Sequence, residues 1–511
     1  MKNFLLLVFA VLLLFPAADS TIVCIAQENI KEINILHWND FHARNIPYKT
    51  TRKKDGVTTE YFVGGTGSML GYLNKFRDGN SLVLHGGDDY QGSPISSITK
   101  GYSQVNLLNI YNLDAFVVGN HEFDYGAMTL DSALQTTNFN VLSGNIYIPS
   151  QNRTFGMPYI IKEVNSVKAG IIGVSPVELK SLTLPKNVEM VEVLNTDSVI
   201  AAGISALKSE NCDLIILLSH NGADEDSVFA LKFNDLDVII GGHSHTPVFK
   251  PRIVNGVIIT QAGSYGKFLG KLDLKVDTDK DTVIYCFGKL NETVLDSAIY
   301  DKHAGEIVDR MLASIEPEMK RVIGKLEVDW KKDNCSQWTV DAMRSTLNTD
   351  LAFLNAGSIR KDMMKGDITV GDIWEINPFG NNIMTFKASG KIIKEMMTNN
   401  FLAAIKNEEL SYYDMIIFSG MTVKVSGQKM KNSDTDFITE ILIDGEQLDE
   451  GKTYTAATNS YTASQYKKYF GELSEEIKAD DTNIIDRDLL LEAVQKQKVI
   501  NNVYEKRVII E

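Results

Sequence analysis

DAFVVGNHEFDY, residues 114–125, sets a short apolar run, Ala115 to Val118, directly against Gly119 and then Asn120, His121, Glu122 and Asp124. Four apolar residues stopped by a glycine read as a strand buried on both faces. In an open α/β sheet, side chains that do chemistry collect just past the carboxyl ends of the strands. This run has that form.

The pattern recurs through the first 250 residues. INILHWNDFH leads into Asp40 and His42, SLVLHGGDD into Asp88, DLIILLSHNG into His220, and DVIIGGHSH into His243 and His245. Of the 8 histidines in the chain, five fall in these post-strand clusters. One histidine after a strand says little. Five on one sheet edge point to a metal centre.

Asp, His and Asn are hard or borderline ligands, suited to Zn, Mn, Co or Mg. Asp40, His42, Asp88, Asn120, His220, His243 and His245 are too many for one tetrahedral site and suit two ions sharing a carboxylate. Asp40 and His42 would project to one side if their strand continues through them. His243 and His245 repeat that spacing and can serve different ions. A bimetallic, oxygen-rich site suits phosphate-ester hydrolysis, because paired cations hold the phosphoryl oxygens and acidify a water. Asn120 is assigned to a metal and its neighbour His121 to the substrate. Asp124, three residues on, can hold the His121 ring protonated for work at the leaving oxygen.

Composition narrows the partners. The 51 basic and 66 acidic residues give a net charge of -15, which argues against a nucleic acid polymer as partner and leaves a small anionic substrate open. KNFLLLVFAVLLLFP, residues 2–16, is shorter than the roughly 20 apolar residues that span a bilayer, so residues 1–26 read as a removable secretory signal. The mature chain is then an exported protein, periplasmic or extracellular, with no integral membrane segment; lipid attachment at Cys24 is the alternative. Cys212, Cys286 and Cys335 are too few and too widely spaced for a disulfide framework.

The order of elements predicts a layered α/β domain over 27–300, an amphipathic helix over 301–326 joining two domains, and a mixed α/β domain over 327–511. GGTGSMLGYLNKFRD, residues 64–78, reads as a glycine turn entering a helix. It lacks the lysine spacing of a phosphate loop.

NDFH, GGDDYQGS, GNHEFDYG, LSHNG and GGHSHT, in that order, resemble the calcineurin-like metallophosphoesterases and, within them, the exported 5′-nucleotidase family; NAGSIR and NPFGNN resemble that family's C-terminal signatures. The resemblance implies a four-layer αββα sandwich, with a C-terminal domain that binds the nucleoside. It implies Asp40, His42, Asp88 and His245 at one metal, Asp88, Asn120, His220 and His243 at the other, and His121 with Asp124 as the catalytic dyad. His37 becomes support for the site, and His85 a packed residue beneath it. Asn355 and Arg360 would hold the substrate, and two aromatic rings would sandwich the base. Tyr461 is the second ring. Phe418 of IIFSGM is the first, with Met415 in another register. The family's Gly-Gly-Asp-Gly loop is missing, and Lys467 falls near the place of its aspartate.

The expected protein is a monomer or homodimer that hydrolyses nucleoside 5′-monophosphates. A nucleotide sugar, a 2′,3′-cyclic nucleotide or another phosphoester are the alternative substrates. An exported nucleotide-binding protein without catalysis is the non-enzyme alternative.

Overall fold

A computed structural model describes residues 29–54, 57–406, 416–431 and 436–511. The segment read as a signal, Cys24 within it, and Met415 lie outside the described residues. Among those described, no helix is long and apolar enough to cross a membrane.

Two six-stranded sheets face each other in the N-terminal half. The first runs in the order Thr282–Glu292, Phe268–Asp277, Ile30–Trp38, Ser81–His85, Ala115–Val117, Asn140–Leu142, and the last four strands are parallel. The second runs Arg252–Val254, Val257–Thr260, Val238–Ile240, Leu214–Ser219, Val167–Val174, Tyr159–Val164, again parallel in its interior.

Strand periodicity explains why the sheets stack. Leu214, Ile216 and Leu218 point inward to meet Ile33, Ile35, Leu82, Leu84, Ala115 and Val117 of the other sheet. Ile215 and Leu217 point outward, against Ile200, Ile204 and Leu207 of the helix Thr196–Ser209. On the far side, Leu36, Trp38, Val83 and Phe116 pack against Met69 and Leu73 of the helix Thr66–Phe76 and against Val105 and Leu108. Four layers result, helix on sheet on sheet on helix. Strands covered on both faces have no polar side to show, which is why they read as unbroken apolar runs.

The C-terminal half is built on a five-stranded mixed sheet, in the order Ile416–Ser419, Leu351–Asn355, Thr453–Asn459, Asn382–Ser389, Ala479–Ile485. Lys332–Leu347 and Asp486–Gln497 cover one face, Gly390–Lys406 the other. The connecting helix is shorter than the spacing predicts. It spans Lys302–Met319, capped at its start by the Asp301 carboxylate, which accepts from the Ala304 N–H at 2.9 Å. Residues Val322–Leu326 instead form a strand paired with Gly366–Thr369 and Val499–Ile500. Pro317 removes a backbone donor two residues before the helix ends, and the β-branched pair Val322 and Ile323 then favours an extended chain.

Candidate active site

Six of the seven residues singled out as ligands converge at the carboxyl ends of the facing strands, and Asn120, the seventh, precedes His121 in the same loop. Asp40, His42 and His245 form one group whose ligand atoms lie within 4.8 Å of one another; Asp88, His220 and His243 form a second, and His42, Asp88 and His121 a third between them. Asp40 Oδ1 is 3.2 Å from His245 Nε2, and His42 Nε2 is 3.0 Å from His245 Nε2. Asp88 Oδ2 is 3.1 Å from His220 Nε2.

Strand geometry is not what aims these side chains, contrary to the spacing argument. The strand ends at Trp38, and Asp40 and His42 follow with φ of 50° and 52°. Asp88, His243 and His245 share that left-handed region, at 58°, 76° and 56°. The loop backbone turns each side chain into the same space. Glycines make the approach possible: a Cβ on Gly119 would stand 2.3 Å from Asp88 Oδ1, and one on Gly242 would stand 2.7 Å from His220 Nδ1.

The residues fit divalent cations on three observations. Among the described residues, Asn120 Oδ1 is buried without a hydrogen-bond partner, and His220 Nε2 makes no well-formed hydrogen bond despite its neighbour. Both imidazoles with a polar partner on the far nitrogen are oriented by backbone: His42 Nδ1 lies 3.2 Å from the Gln91 carbonyl and His220 Nδ1 2.5 Å from the Gly86 carbonyl, leaving Nε2 for an ion. Burial holds His42 neutral and lowers the pKa of His243 to about 4, as metal ligation requires. Burial also opposes the charges of Asp40 and Asp88, yet the surrounding imidazoles outweigh it and keep both carboxyls below their usual range. His220 runs the other way. Burial works against its charge, but Asp88 beside it pushes its pKa up to about 10, a sign of how strongly this pocket attracts positive charge.

His121 Nδ1 lies 2.7 Å from Asp124 Oδ2. Burial disfavours the imidazolium, but the carboxylates of Asp124 and Asp88 prevail and raise its pKa to about 9. The Asp124 pKa is itself raised by burial, with His121 pulling against it. Both side chains open into a cavity of about 280 Å³ lined from both halves of the chain: Asn120, His121, Asp124 and His243 on one side, Asn355, Arg360, Phe379, Tyr461 and Lys468 on the other.

Asn355, Arg360 and Tyr461 thus line the cavity. Asn355 Oδ1 accepts from Ser358 Oγ at 2.5 Å and Thr462 Oγ1 at 3.1 Å, which fixes its amide. Phe418 is not among them. It lies in the strand Ile416–Ser419, paired with Phe353 and buried in the core beneath the sheet. Phe379 of NPFGNN does line the cavity, beside Tyr461, with its centroid 6.4 Å from that of His121 and the Arg360 guanidinium carbon 5.6 Å from it. IIFS is a run of apolar residues in a strand, so its aromatic packs inward. Phe379 stands between Pro378 and Gly380 in a turn, where a ring has no core to enter; that contrast was the available signal. His37 packs against Gly270 and lies 3.4 Å from the Thr260 hydroxyl, away from the ligand atoms. His85 sits under the site, its Nδ1 accepting the Gly87 N–H at 3.0 Å and its Nε2 3.1 Å from Asp89.

Two stacked sheets with candidate metal-ligand clusters past their strands are the layout of a metal-dependent hydrolase. Residues 33–247 match the sequence model of the calcineurin-like phosphoesterases, and residues 316–472 that of the 5′-nucleotidase C-terminal domain. The chain belongs to the 5′-nucleotidase family of these enzymes. It is 26% identical to an NAD 5′-nucleotidase of Haemophilus influenzae, across 91% of this chain and 90% of that protein. Against the protein UshA of Escherichia coli the identity is 24%, across 98% and 97%. The crystal structure of a 5′-nucleotidase precursor from Thermus thermophilus shares the fold, with a TM-score of 0.79 at 23% identity over 94% of this chain and 99% of that one. A sulfate thiohydrolase SoxB from the same organism also shares it, at a TM-score of 0.73 and 17% identity over 94% and 96%. The fold alone therefore does not choose the substrate.

Proposed function

We propose that the protein hydrolyses nucleoside 5′-monophosphates to nucleoside and phosphate at a two-metal centre. Asp40, His42, Asp88 and His245 would hold one divalent cation and Asp88, Asn120, His220 and His243 the other, with Asp88 shared. Two such cations, when bound, neutralise phosphoryl charge and make a water nucleophilic at neutral pH. The protein's own groups do the rest. His121, kept charged by Asp124, stabilises the transferring phosphoryl group and gives its proton to the leaving 5′ oxygen. Arg360 offers a planar fork to phosphate or ribose oxygens, and Phe379 and Tyr461 offer faces to the base. Residues 27–300 act as the catalytic unit and 327–511 as the substrate unit, with residues 1–26 directing export.

The observation that carries this reading is the opening of the His121–Asp124 pair into one cavity with Arg360, Phe379 and Tyr461. Phosphate release from 5′-AMP, UDP-glucose and 2′,3′-cyclic AMP, with chelator and after Mn, Co or Zn is restored, tests it. Release from 5′-AMP that survives exhaustive chelation, or release from every substrate but 5′-AMP, would sink it.

A second reading draws on Lys468. It lines the cavity, and among the described residues it forms no ion pair. A cation there favours substrates with a second phosphoryl group, such as a nucleotide sugar or a dinucleotide. Lys468→Glu should then lower kcat/KM for UDP-glucose by about tenfold or more, the scale of one lost charge-assisted contact, and leave 5′-AMP nearly unchanged.

A further inference from the structure

Glu122 sits inside the ligand run, between His121 and Asp124, yet its side chain is fully buried and accepts hydrogen bonds from backbone alone. Oε2 accepts the N–H of Gly119 at 2.7 Å and of Asp88 at 3.0 Å. Oε1 accepts the N–H of Asp89 at 2.6 Å and of Tyr90 at 3.2 Å. These donors come from two loops that leave adjacent parallel strands, Ser81–His85 and Ala115–Val117.

Two loops that both aim N–H groups at one buried point cannot satisfy each other. A group with several acceptor lone pairs must fill the gap. Among side chains, only a carboxylate presents enough lone pairs on two oxygens to take all four donors. Gly87 and Asp88 adopt positive φ, 87° and 58°, so successive N–H groups converge, and the Glu122 carboxyl supplies their acceptor. A further link runs the same way: the His121 N–H donates to Asp88 Oδ1 at 2.9 Å.

We infer that Glu122 is a positioning residue, a carboxylate clamp that fixes the spacing between the loop of Asp88 and the loop of Asn120 and thereby sets the affinity for both cations. It touches neither ion nor substrate. The inference rests on the two-metal reading above. Glutamine at this position keeps the volume but turns an NH2 group toward two of the N–H donors, so the loops part. Aspartate keeps the charge but is one methylene too short to serve both loops at once.

The test is competitive titration of the full chain with Co and Mn against a chromogenic chelator, together with the visible absorption spectrum of the Co-loaded protein, which reports ligand geometry without turnover. Glu122→Gln should weaken at least one of two sites by tenfold or more and alter the Co spectrum, while its far-ultraviolet circular dichroism stays that of the parent. Leu207→Ala, which opens the outer core of the same half far from both loops, supplies a destabilised control and should bind Co as the parent does. Parent-like affinity and spectrum in Glu122→Gln overturn the inference, as does an equal loss in Leu207→Ala. If Glu122→Gln does not fold, Glu122→Asp takes its place with the same expectation and the same overturning result. A parent chain that binds no divalent cation brings down the two-metal reading and this inference together; a parent that binds two alongside a parent-like Glu122→Gln removes the clamp alone.

Discussion

Asp40, His42, Asp88, His243 and His245 all hold left-handed backbone, and none is a glycine. Each such residue costs about 1 kcal/mol or more, so the centre is strained until something offsets it. Cations that bind only the folded chain do so by mass action, worth about 4 kcal/mol at a thousand times Kd. Chelation should therefore lower the midpoint of thermal unfolding by several degrees, and restoring Zn or Mn should recover it; calorimetry with and without chelator reads this directly. His121 has a different job from the ligands beside it. His121→Gln should cut kcat by ~10²–10⁴ while two equivalents of metal remain bound. The two phenylalanines separate in the same manner. Phe379→Ala should raise KM for 5′-AMP several-fold with little change in stability, because the ring lines the cavity. Phe418→Ala should cost about 3–5 kcal/mol of stability and leave KM alone. Exchanged phenotypes would return the base site to Phe418.

At the scale of strands, loops and helices, the layout of the N-terminal half was legible because its cause is local. A strand covered on both faces must be apolar throughout, and the polar residues that follow it mark where it leaves the sheet. Aim was not legible. Asp40 and His42 meet through positive φ, a property of the chain's path that period-two spacing cannot express. The end of the helix at Met319 was equally hidden, since the strand Val322–Leu326 exists only because Gly366–Thr369 and Val499–Ile500, remote in sequence, pair with it. Asp226, in the helix Ala223–Lys232 after the His220 strand, shows another consequence of assembly. Its carboxylate is fully buried, with the Ser219 hydroxyl beside it and a Cβ on Gly241 standing 2.2 Å from Oδ2. Burial raises its pKa to about 7. The folded chain then binds a proton that the unfolded chain, titrating near 3.8, releases. This contribution to stability is complete below about pH 4 and is lost as pH rises through about 7. Asp226→Asn should leave the unfolding midpoint at pH 4 unchanged and raise it at pH 8 by ~2–4 °C; an equal effect at both values would show that the side chain's charge is not what matters.

For the whole molecule, the cavity exists only where the two halves meet. Asn120, His243 and the His121–Asp124 pair come from one half, Arg360, Phe379, Tyr461 and Lys468 from the other. Its volume of about 280 Å³ lies at the lower edge of the range typical of ligand sites, roughly 300–1,000 Å³. If the substrate is the proposed nucleotide, it would be enclosed in this space, and the halves would then have to separate for entry and release. Two polar contacts cross the seam near the cavity mouth at long range. Ser97 Oγ stands 3.5 Å from the Pro378 carbonyl oxygen, and Arg360 Nη2 stands 3.5 Å from the Tyr265 hydroxyl, both at the outer limit of a hydrogen bond. The helix Lys302–Met319 lies in the covalent connection between them. Cysteines at Ser97 and Pro378 would tie the halves across this seam. When oxidised, the double variant should lose tenfold or more of its turnover while metal content, measured by atomic absorption, stays at the parental value; reduction should restore the rate. Loss of metal on oxidation would locate the defect in the centre itself, and full turnover in the oxidised form would mean that substrate enters and product leaves without the halves moving apart.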